Sequence, residues 1–243
     1  MTKKQLKKAY NEAAKDFLIS RTQANVDTGI YNREIEQPTM FKLVQKNLKN
    51  KKLLDAACGP GIHLKEYVKR GAKGFGIDLT PNMIKLAKEY CKGAKFEVGT
   101  IEKLKFKDAS FDIVTCSLAL DHIKDLNKAI KQINRVLKKN GLFIFSIPHP
   151  ITYMFRDSEK GEFIPTPSYF DDSTRYYKIV QKGKKIPGFP RMIDTYFKIL
   201  IKNNFEIIDF IESGPKDSWD EKNPKVKILF KIPYFCFFKC RKK

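Results

Sequence analysis

Cysteine, histidine and tryptophan are scarce in this chain of 243 residues, which holds five, three and one of them. The cysteines (Cys58, Cys91, Cys116, Cys236 and Cys240) are odd in number and scattered. That excludes a disulfide framework and fits a reducing compartment. Cys236 and Cys240 lie close together, but no histidine or second cysteine pair accompanies them, so no metal site is expected. No apolar run is long enough to cross a bilayer. The start, MTKKQLKKAYNEAAK, is basic but lacks the apolar core of a signal peptide. Together these absences predict a cytoplasmic protein without a membrane span. Acid is scarce as well: 27 Asp and Glu stand against 48 Lys and Arg, a net charge of +21. Such a charge suits a polyanionic partner, RNA being the possible one, or simply a lysine-rich solvated surface. The excess is mostly lysine and is spread along the chain, whereas nucleic-acid grooves tend to cluster arginine with aromatics. The solvated surface is therefore the favoured reading. The oligomeric state leaves no mark on the pattern.

Two nucleotide signatures are also missing. There is no G-x-G-x-x-G and no phosphate-loop lysine, which argues against a dinucleotide or a nucleoside triphosphate. What is present is residues 53–61, LLDAACGPG, followed by IHLKEYVKRG. Leu53 and Leu54 read as the end of a buried strand, and Leu64, Tyr67 and Val68 recur at helical spacing. A strand, glycine loop and helix in that order present free backbone N–H groups at the mouth of a sheet. Asp78 closes a second apolar run, GFGID, 23 residues beyond Asp55. A carboxylate there can accept from both hydroxyls of a ribose.

The string LLDAACGPGIHLKEYVKRGAKGFGIDLTPNMIKLAK resembles the nucleotide-binding half of class I S-adenosylmethionine (SAM) dependent methyltransferases. In that family the first loop reads (D/E)-x-G-C-G-x-G and the second strand ends in (D/E)-x-S-x-x-M. Here the matches are Asp55 to Gly61 and Asp78 to Met83, with Ala57 in place of the first glycine. The resemblance implies SAM as cofactor and S-adenosylhomocysteine as product. It implies contacts from Asp55, Ala57, Cys58, Gly59 and Gly61 on the methionine and ribose side. Asp78 would take the ribose hydroxyls, with Leu79 and Met83 beside the adenosine. Gly99-Thr100-Ile101 stands where the family commonly has Gly-Asp-Ala, so Thr100 and Ile101 would meet the adenine with a hydroxyl instead of a carboxylate. Cys116, Ser117 and Leu118 end the fourth strand, where backbone meets the methionine portion. Tyr10 and Arg21 would reach the cofactor from the N-terminal helices.

In chain order, residues 3–20 have the spacing of an amphipathic helix, 21–37 read as a loop, and Pro38 opens a second helix. Strands are expected at 52–56, 73–78, 94–98, 111–117, 142–147, 205–211 and 227–240. Helices are expected at 61–70, 81–92, 124–139 and 190–203. Repeated βα units imply an α/β fold with a mostly parallel sheet covered on both faces. The resemblance sharpens this to a Rossmann-like seven-stranded sheet of order 3-2-1-4-5-7-6, strand seven antiparallel. One domain, 1–243, is expected: a helical cap at 1–50, a SAM-binding core at 51–147, a lid and substrate insertion at 148–190, and a C-terminal helix and strands at 191–243. The insertion carries Tyr153, Phe155, Phe163, Tyr169, Phe170, Tyr176 and Tyr177, which should pack or cover a substrate. Ser146-Ile147-Pro148-His149-Pro150 is similar to the SxxHP of a small cytoplasmic branch of these enzymes, of the methyltransferase type 11 kind. There Phe189-Pro190-Arg191 replaces a His-Arg pair.

Methyl transfer from a sulfonium asks the protein to align the acceptor and exclude water. A base matters where the acceptor is a hydroxyl or a protonated amine. His122 and His149, just past strands four and five, are the candidate bases; His63, at a helix start, is a third and weaker one. No (D/N/S)-P-P-(Y/F) tetrapeptide is present, which argues against adenine amino methylation. Thr115-Cys116-Ser117 lacks the Pro-Cys partner of RNA cytosine methyltransferases. The expected function is methyl transfer to a small molecule at O or N. The alternatives are an RNA methyltransferase and a silent SAM-binding module.

Overall fold

The computed structural model describes residues 3–24, 29–153, 155–157, 163–165, 169–178, 185–223 and 226–243. Five strands follow one another in parallel: β1 (Lys52–Ala56), β2 (Lys73–Asp78), β3 (Lys95–Val98), β4 (Phe111–Ser117) and β5 (Leu137–Pro148). Two small hairpins come next, β6 (Phe155–Asp157) with β7 (Phe163–Pro165), and β8 (Arg175–Lys178) with β9 (Lys185–Gly188). The sheet is completed by β10 (Phe205–Glu212) and β11 (Phe235–Lys242), in the order β10-β11-β5-β4-β1-β2-β3. Numbering only the seven strands of this sheet gives 3-2-1-4-5-7-6, and β11 is antiparallel to both its neighbours. This is the expected Rossmann-like α/β sheet.

Strand residues alternate between two apolar layers, as a pleat with a two-residue period requires. Leu54, Val114, Phe143 and Phe238 face one layer, with α5 (Leu126–Val136) and α6 (Ile193–Lys202). Leu53, Ile113, Ile144 and Phe237 face the other, with α2 (Gln37–Leu43), α3 (Ile62–Lys69) and α4 (Pro81–Tyr90). Helix α1 (Lys3–Thr22) lies over the carboxyl edge of the sheet. It is tied to the start of α4 by two bonds from Asn82, its N–H to Asn11 Oδ1 at 2.9 Å and its Nδ2 to the Asn11 carbonyl at 3.0 Å. Among the described residues, no helix is long and apolar enough to cross a membrane.

Four segments differ from the sequence reading. Part of the presumed loop 21–37 is a π-helical turn, Asn32–Glu36, running directly into α2 and burying Asn32, Ile35 and Glu36. Helix α5 stops at Val136 because Leu137 is drawn into the sheet opposite Phe111. Asn140, at φ 60°, then turns inside the irregular start of β5 and caps no helix. Residues 227–230 form a 3₁₀ turn instead of strand, and β11 begins only after Pro233. The insertion is more regular than expected, and its last strand is well anchored, with Ile186, Pro187 and Gly188 buried. Its aromatics divide. Tyr153 and Tyr169 are partly buried, whereas Phe170 is 76% exposed and Tyr176 is also exposed. The side chains of Phe155, Phe163 and Tyr177 lie outside the described residues.

Candidate functional site

The chain leaves β1 through a loop that bends sharply at Ala57 (φ 64°), Gly59 (φ 52°) and Gly61 (φ 82°), the last forming the N-cap of α3. A Cβ at Gly59 would approach only Phe17 of α1, so the loop backbone faces open space. At the end of β2 the Asp78 carboxylate braces this loop. Oδ2 accepts the Gly59 N–H at 3.0 Å, and Oδ1 accepts the Thr80 N–H at 2.8 Å. Burial pushes the Asp78 carboxyl above its ordinary range, and the bonds from Thr80 and Gly59 oppose that.

Above the loop is a cleft of about 430 Å³. Its lining includes Tyr10, Ala57, Gly59, Asp78, Leu79, Met83, Thr100, Ile101, Ser117, Leu118 and His122, all anticipated from sequence. Asp78, Leu79, Thr100 and Ile101 sit at the β2–β3 half, and Ser117, Leu118 and His122 at the β4–β5 half. Sequence reasoning expected cover from the N-terminal helices and the insertion, but did not single out Lys3, Leu6 and Phe17 of α1 or Pro187 and Phe189 of the insertion as lining. It missed Glu102. That carboxylate lines the cleft, accepts the Lys3 ammonium at 2.6 Å and bonds the Thr100 hydroxyl. An acid therefore does stand after β3, two residues later than the family pattern places it.

The remaining anticipated residues lie behind this lining. Cys58 turns its sulfur away, toward Gly76 of β2, and Cys116 is buried in the apolar layer under α5. Gly61 packs its Cα against Ala87 and Cys91 of α4. Arg21 lies over the Phe17 ring, 4.8 Å from its centroid, and donates to Asn32 Oδ1.

His122 stands on a 3₁₀ turn, Leu120–His122. Its Nδ1 is 2.8 Å from the Pro187 carbonyl, and its Nε2 is 2.9 Å from the Tyr10 hydroxyl. A carbonyl can only accept, so Nδ1 carries a proton; in the neutral ring Nε2 then presents the lone pair that accepts from Tyr10. The neighbouring Asp121 carboxylate accepts the Tyr153 hydroxyl at 2.8 Å through Oδ2, the same oxygen that lies 3.9 Å from His122 Nε2. One guanidinium fastens the whole turn: Arg191 donates to the carbonyls of Leu120, Ile123, Lys124 and Phe189.

His149 is differently placed. It does not line the cleft, and both its nitrogens are committed. Nδ1 accepts the Ile151 N–H at 3.1 Å, so Nε2 carries the proton and donates to Glu212 at 2.7 Å. Burial lowers its pKa against the pull of Glu212, which keeps the ring neutral. Cys236 lies near this pair, with the three donor atoms within 4.8 Å of one another. The proton on Nε2, and a thiol that burial keeps protonated, both work against a metal there.

Beneath the cleft is a buried polar cluster. Asp55 is 1% exposed; its Oδ1 accepts the Thr115 hydroxyl at 2.9 Å, and its Oδ2 has no partner among the described residues. The Ser117 hydroxyl is likewise buried and unpartnered. Glu36, on the π-turn, accepts Ser146 Oγ at 2.6 Å and His63 Nε2 at 3.0 Å. Buried acceptors without partners are costly. A ligand carrying an ammonium group and ribose hydroxyls would satisfy Asp55, Ser117 and Asp78 together, so the residues present fit SAM.

Comparison with known proteins agrees with this geometry. Residues 54–145 match a family model described as a methyltransferase domain. An uncharacterized protein of Haemophilus influenzae is 33% identical over 228 residues, covering 87% of this chain and 88% of its own. A ubiquinone biosynthesis O-methyltransferase of Pelagibacter ubique is 35% identical over 105 residues, 42% of this chain and 43% of its own. A crystal structure from Listeria monocytogenes, assigned to the SAM-dependent methyltransferases, superposes with a TM-score of 0.74 at 28% identity, covering 86% of this chain and 96% of that one. The fold, the glycine loop, the acids at the carboxyl ends of β1 and β2, and these relatives place the chain in the SAM-dependent methyltransferase family.

Proposed function

We propose that the protein methylates a small-molecule acceptor at an oxygen or nitrogen atom, with His122 as the base. The observation that carries this reading is the pairing of Tyr10 O–H with His122 Nε2 at the β4–β5 end of the cleft. A hydroxyl already occupies the position that an acceptor hydroxyl or amine would take. When bound, SAM supplies an electrophilic methyl on a sulfonium. Asp78, Leu79, Thr100 and Ile101 would hold the adenosine, and Asp55, Ala57, Gly59, Ser117 and Leu118 the methionine portion. Phe17, Leu118, Ile123 and Phe189 would shape the acceptor pocket and exclude water, which keeps the methyl from hydrolysis. His122 Nε2 would take the acceptor proton, while the Pro187 carbonyl steadies the imidazolium through Nδ1–H. His149 would anchor the start of the insertion.

The O-methyltransferase of Pelagibacter ubique supports an oxygen acceptor, through the part of the chain it matches. The net charge of +21 favours a second reading, an RNA acceptor. The decisive test supplies methyl-labelled SAM with a fractionated cell extract. Label in small molecules, lost on His122→Asn, is the expected result. Label in RNA, with binding that falls steeply with salt, would replace the first reading by the second. Cofactor binding with no label in any fraction would argue for a silent module.

A further inference from the structure

Charge on this molecule is sorted by the sheet. At one edge β1, β2 and β3 begin with Lys52, Lys73 and Lys95; at the other, β1 and β2 reach Asp55 and Asp78, and Glu102 lines the cleft. Packing draws further lysines to the amino edge. Lys52 is the register partner of Lys73, which puts them on neighbouring strands about 4.8 Å apart. The Lys51 carbonyl accepts the Lys73 N–H at 2.8 Å. Gly71, at φ 98°, lets the Lys49 backbone come close: a Cβ on Gly71 would lie 3.2 Å from the Lys49 N and Cα. Buried Leu48 fastens this loop, its N–H donating to the Arg70 carbonyl at 2.9 Å, and Lys69 closes α3 just before Arg70.

Lys49, Lys51, Lys52, Lys69, Lys73 and Lys95 are all exposed, and none is in an ion pair among the described residues. The acids nearby are already engaged. Asp112 accepts Lys138 Nζ and the Lys52 N–H, both at 2.8 Å, and Glu66 takes Arg70 at 2.9 Å. Farther along the same edge the cations are engaged too: Arg241 pairs with Glu206, and Lys242 donates to the carbonyls of Asn134 and Leu137. The open charge thus belongs to the β1–β3 side. Like charges gathered this way repel one another, and an anionic partner relieves that. The cofactor is not that partner, because β2 spans Lys73–Asp78 and so separates rim from cleft by about 17 Å.

We propose that this lysine rim is a docking surface for an anionic bilayer, which holds the protein with its cleft turned toward the solution. Three features choose a bilayer over a nucleic acid. The cations are lysines, compact hydrated point charges, whereas nucleic-acid phosphates favour the arginine fork. Arg70, the arginine of this region, is committed to Glu66 and to the carbonyls of Phe41 and Val44. No exposed large hydrophobic side chain lies between residues 46 and 95, so no aromatic ring offers a base a stacking platform. The lysines follow successive strand starts, a row and not a groove, and a cluster of about four to eight basic residues is what attaches a protein to anionic lipid. The inference depends neither on SAM nor on the acceptor.

The test is cosedimentation of the full-length protein with vesicles of phosphatidylcholine, alone or mixed one to one with phosphatidylglycerol. Wild type should bind only the mixed vesicles at about 0.1 M salt and leave them at about 1 M, where charges are screened within about 3 Å. Lys49→Glu, Lys52→Glu and Lys73→Glu combined should weaken binding by at least about 100-fold, at roughly fivefold per lysine. The same charge change on the cleft side, Lys8→Glu of α1 with Lys128→Glu and Lys131→Glu early in α5, should weaken it less than about tenfold, since the rim lies beyond a screening length of about 10 Å. Lys73→Glu alone, expected to cost about fivefold or more, serves if the triple variant does not fold. No binding to the mixed vesicles, equal binding to the neutral ones, or equal loss in the two triple variants would each overturn the inference. Rim-dependent binding of a duplex RNA in preference to the vesicles would overturn it too and give the surface to nucleic acid.

Discussion

Tyr10 and His122, 112 positions apart in sequence, meet across the cleft at 2.9 Å, the hydroxyl of one donating to the ring nitrogen of the other. The contact joins α1, the roof, to the turn after β4, and it defines which nitrogen is basic. His122→Asn should lower kcat on the identified acceptor by about 10²–10⁴, the usual range for loss of a positioned base. The cofactor affinity of that variant should stay near wild type, since the adenosine half of the cleft is untouched. Tyr10→Phe should cost less in kcat. A His122→Asn enzyme with wild-type kcat would remove His122 from the chemistry.

Ala57 adopts φ 64°, a left-handed conformation that an L-residue enters only at a cost. Glycine enters it freely but loses more chain entropy on folding, so the two effects oppose each other. The left-handed penalty is the larger, about 1–2 kcal/mol. Ala57→Gly should therefore stabilise the protein by about 0.5–1 kcal/mol, a rise of a few degrees in the thermal midpoint for a chain of this size. A lower midpoint would mean that the Ala57 methyl packs better than its backbone geometry suggests.

The parts of this molecule that were legible in sequence are those fixed by local pattern. The strands at 73–78 and 111–117 were expected at the bounds observed, since short apolar runs between turn signals fix them. Asp78, Gly59 and Thr100 line the cleft because loop positions after consecutive parallel strands converge on one edge. What was not legible depends on contacts between distant segments. Glu36 lay in a stretch read as loop, since the signal for a π-turn is a partner, Ser146, 110 residues away. Leu137 left the helix expected to hold it because Phe111 offered it a place in the sheet. His149 looked as good a base as His122, and only Glu212 and the Ile151 N–H take it out of contention.

Asp78 serves the apo protein as well as any ligand. Its carboxylate satisfies the backbone N–H groups of Gly59 and Thr80, and removing it leaves both without an acceptor. Asp78→Ala should thus lower stability by about 1–3 kcal/mol and weaken SAM by about 10–150-fold, the worth of a charged hydrogen bond. Thr80→Val separates the two effects. It removes the hydroxyl that bonds Asp78 but leaves the carboxylate, so it should cost stability with a much smaller loss of SAM affinity. Calorimetric titration alongside thermal unfolding reads both. Unchanged SAM affinity in Asp78→Ala would displace the cofactor from this end of the cleft.

Asp55 should leave its mark on stability as well as on binding. Its pKa rises from 3.8 to about 6 on folding, chiefly through burial, so the native state favours the protonated acid more than the unfolded chain does. Stability from this group is then fully present below pH 3.8 and is lost as pH rises through about 6. At about 1.4 kcal/mol per unit, the loss amounts to roughly 2–3 kcal/mol. Asparagine does not titrate. Whatever fixed offset Asp55→Asn introduces by placing an amide there, its stability relative to wild type should improve by that amount between pH 4 and pH 7.5. Urea unfolding of both proteins without cofactor, across that range, measures the difference. Parallel curves would mean that Asp55 ionises in the native state as easily as in the unfolded chain. A widening gap would mean that the fold gives up stability at neutral pH to keep a buried carboxylate beneath its cleft, a cost expected of a residue kept for binding and not for packing.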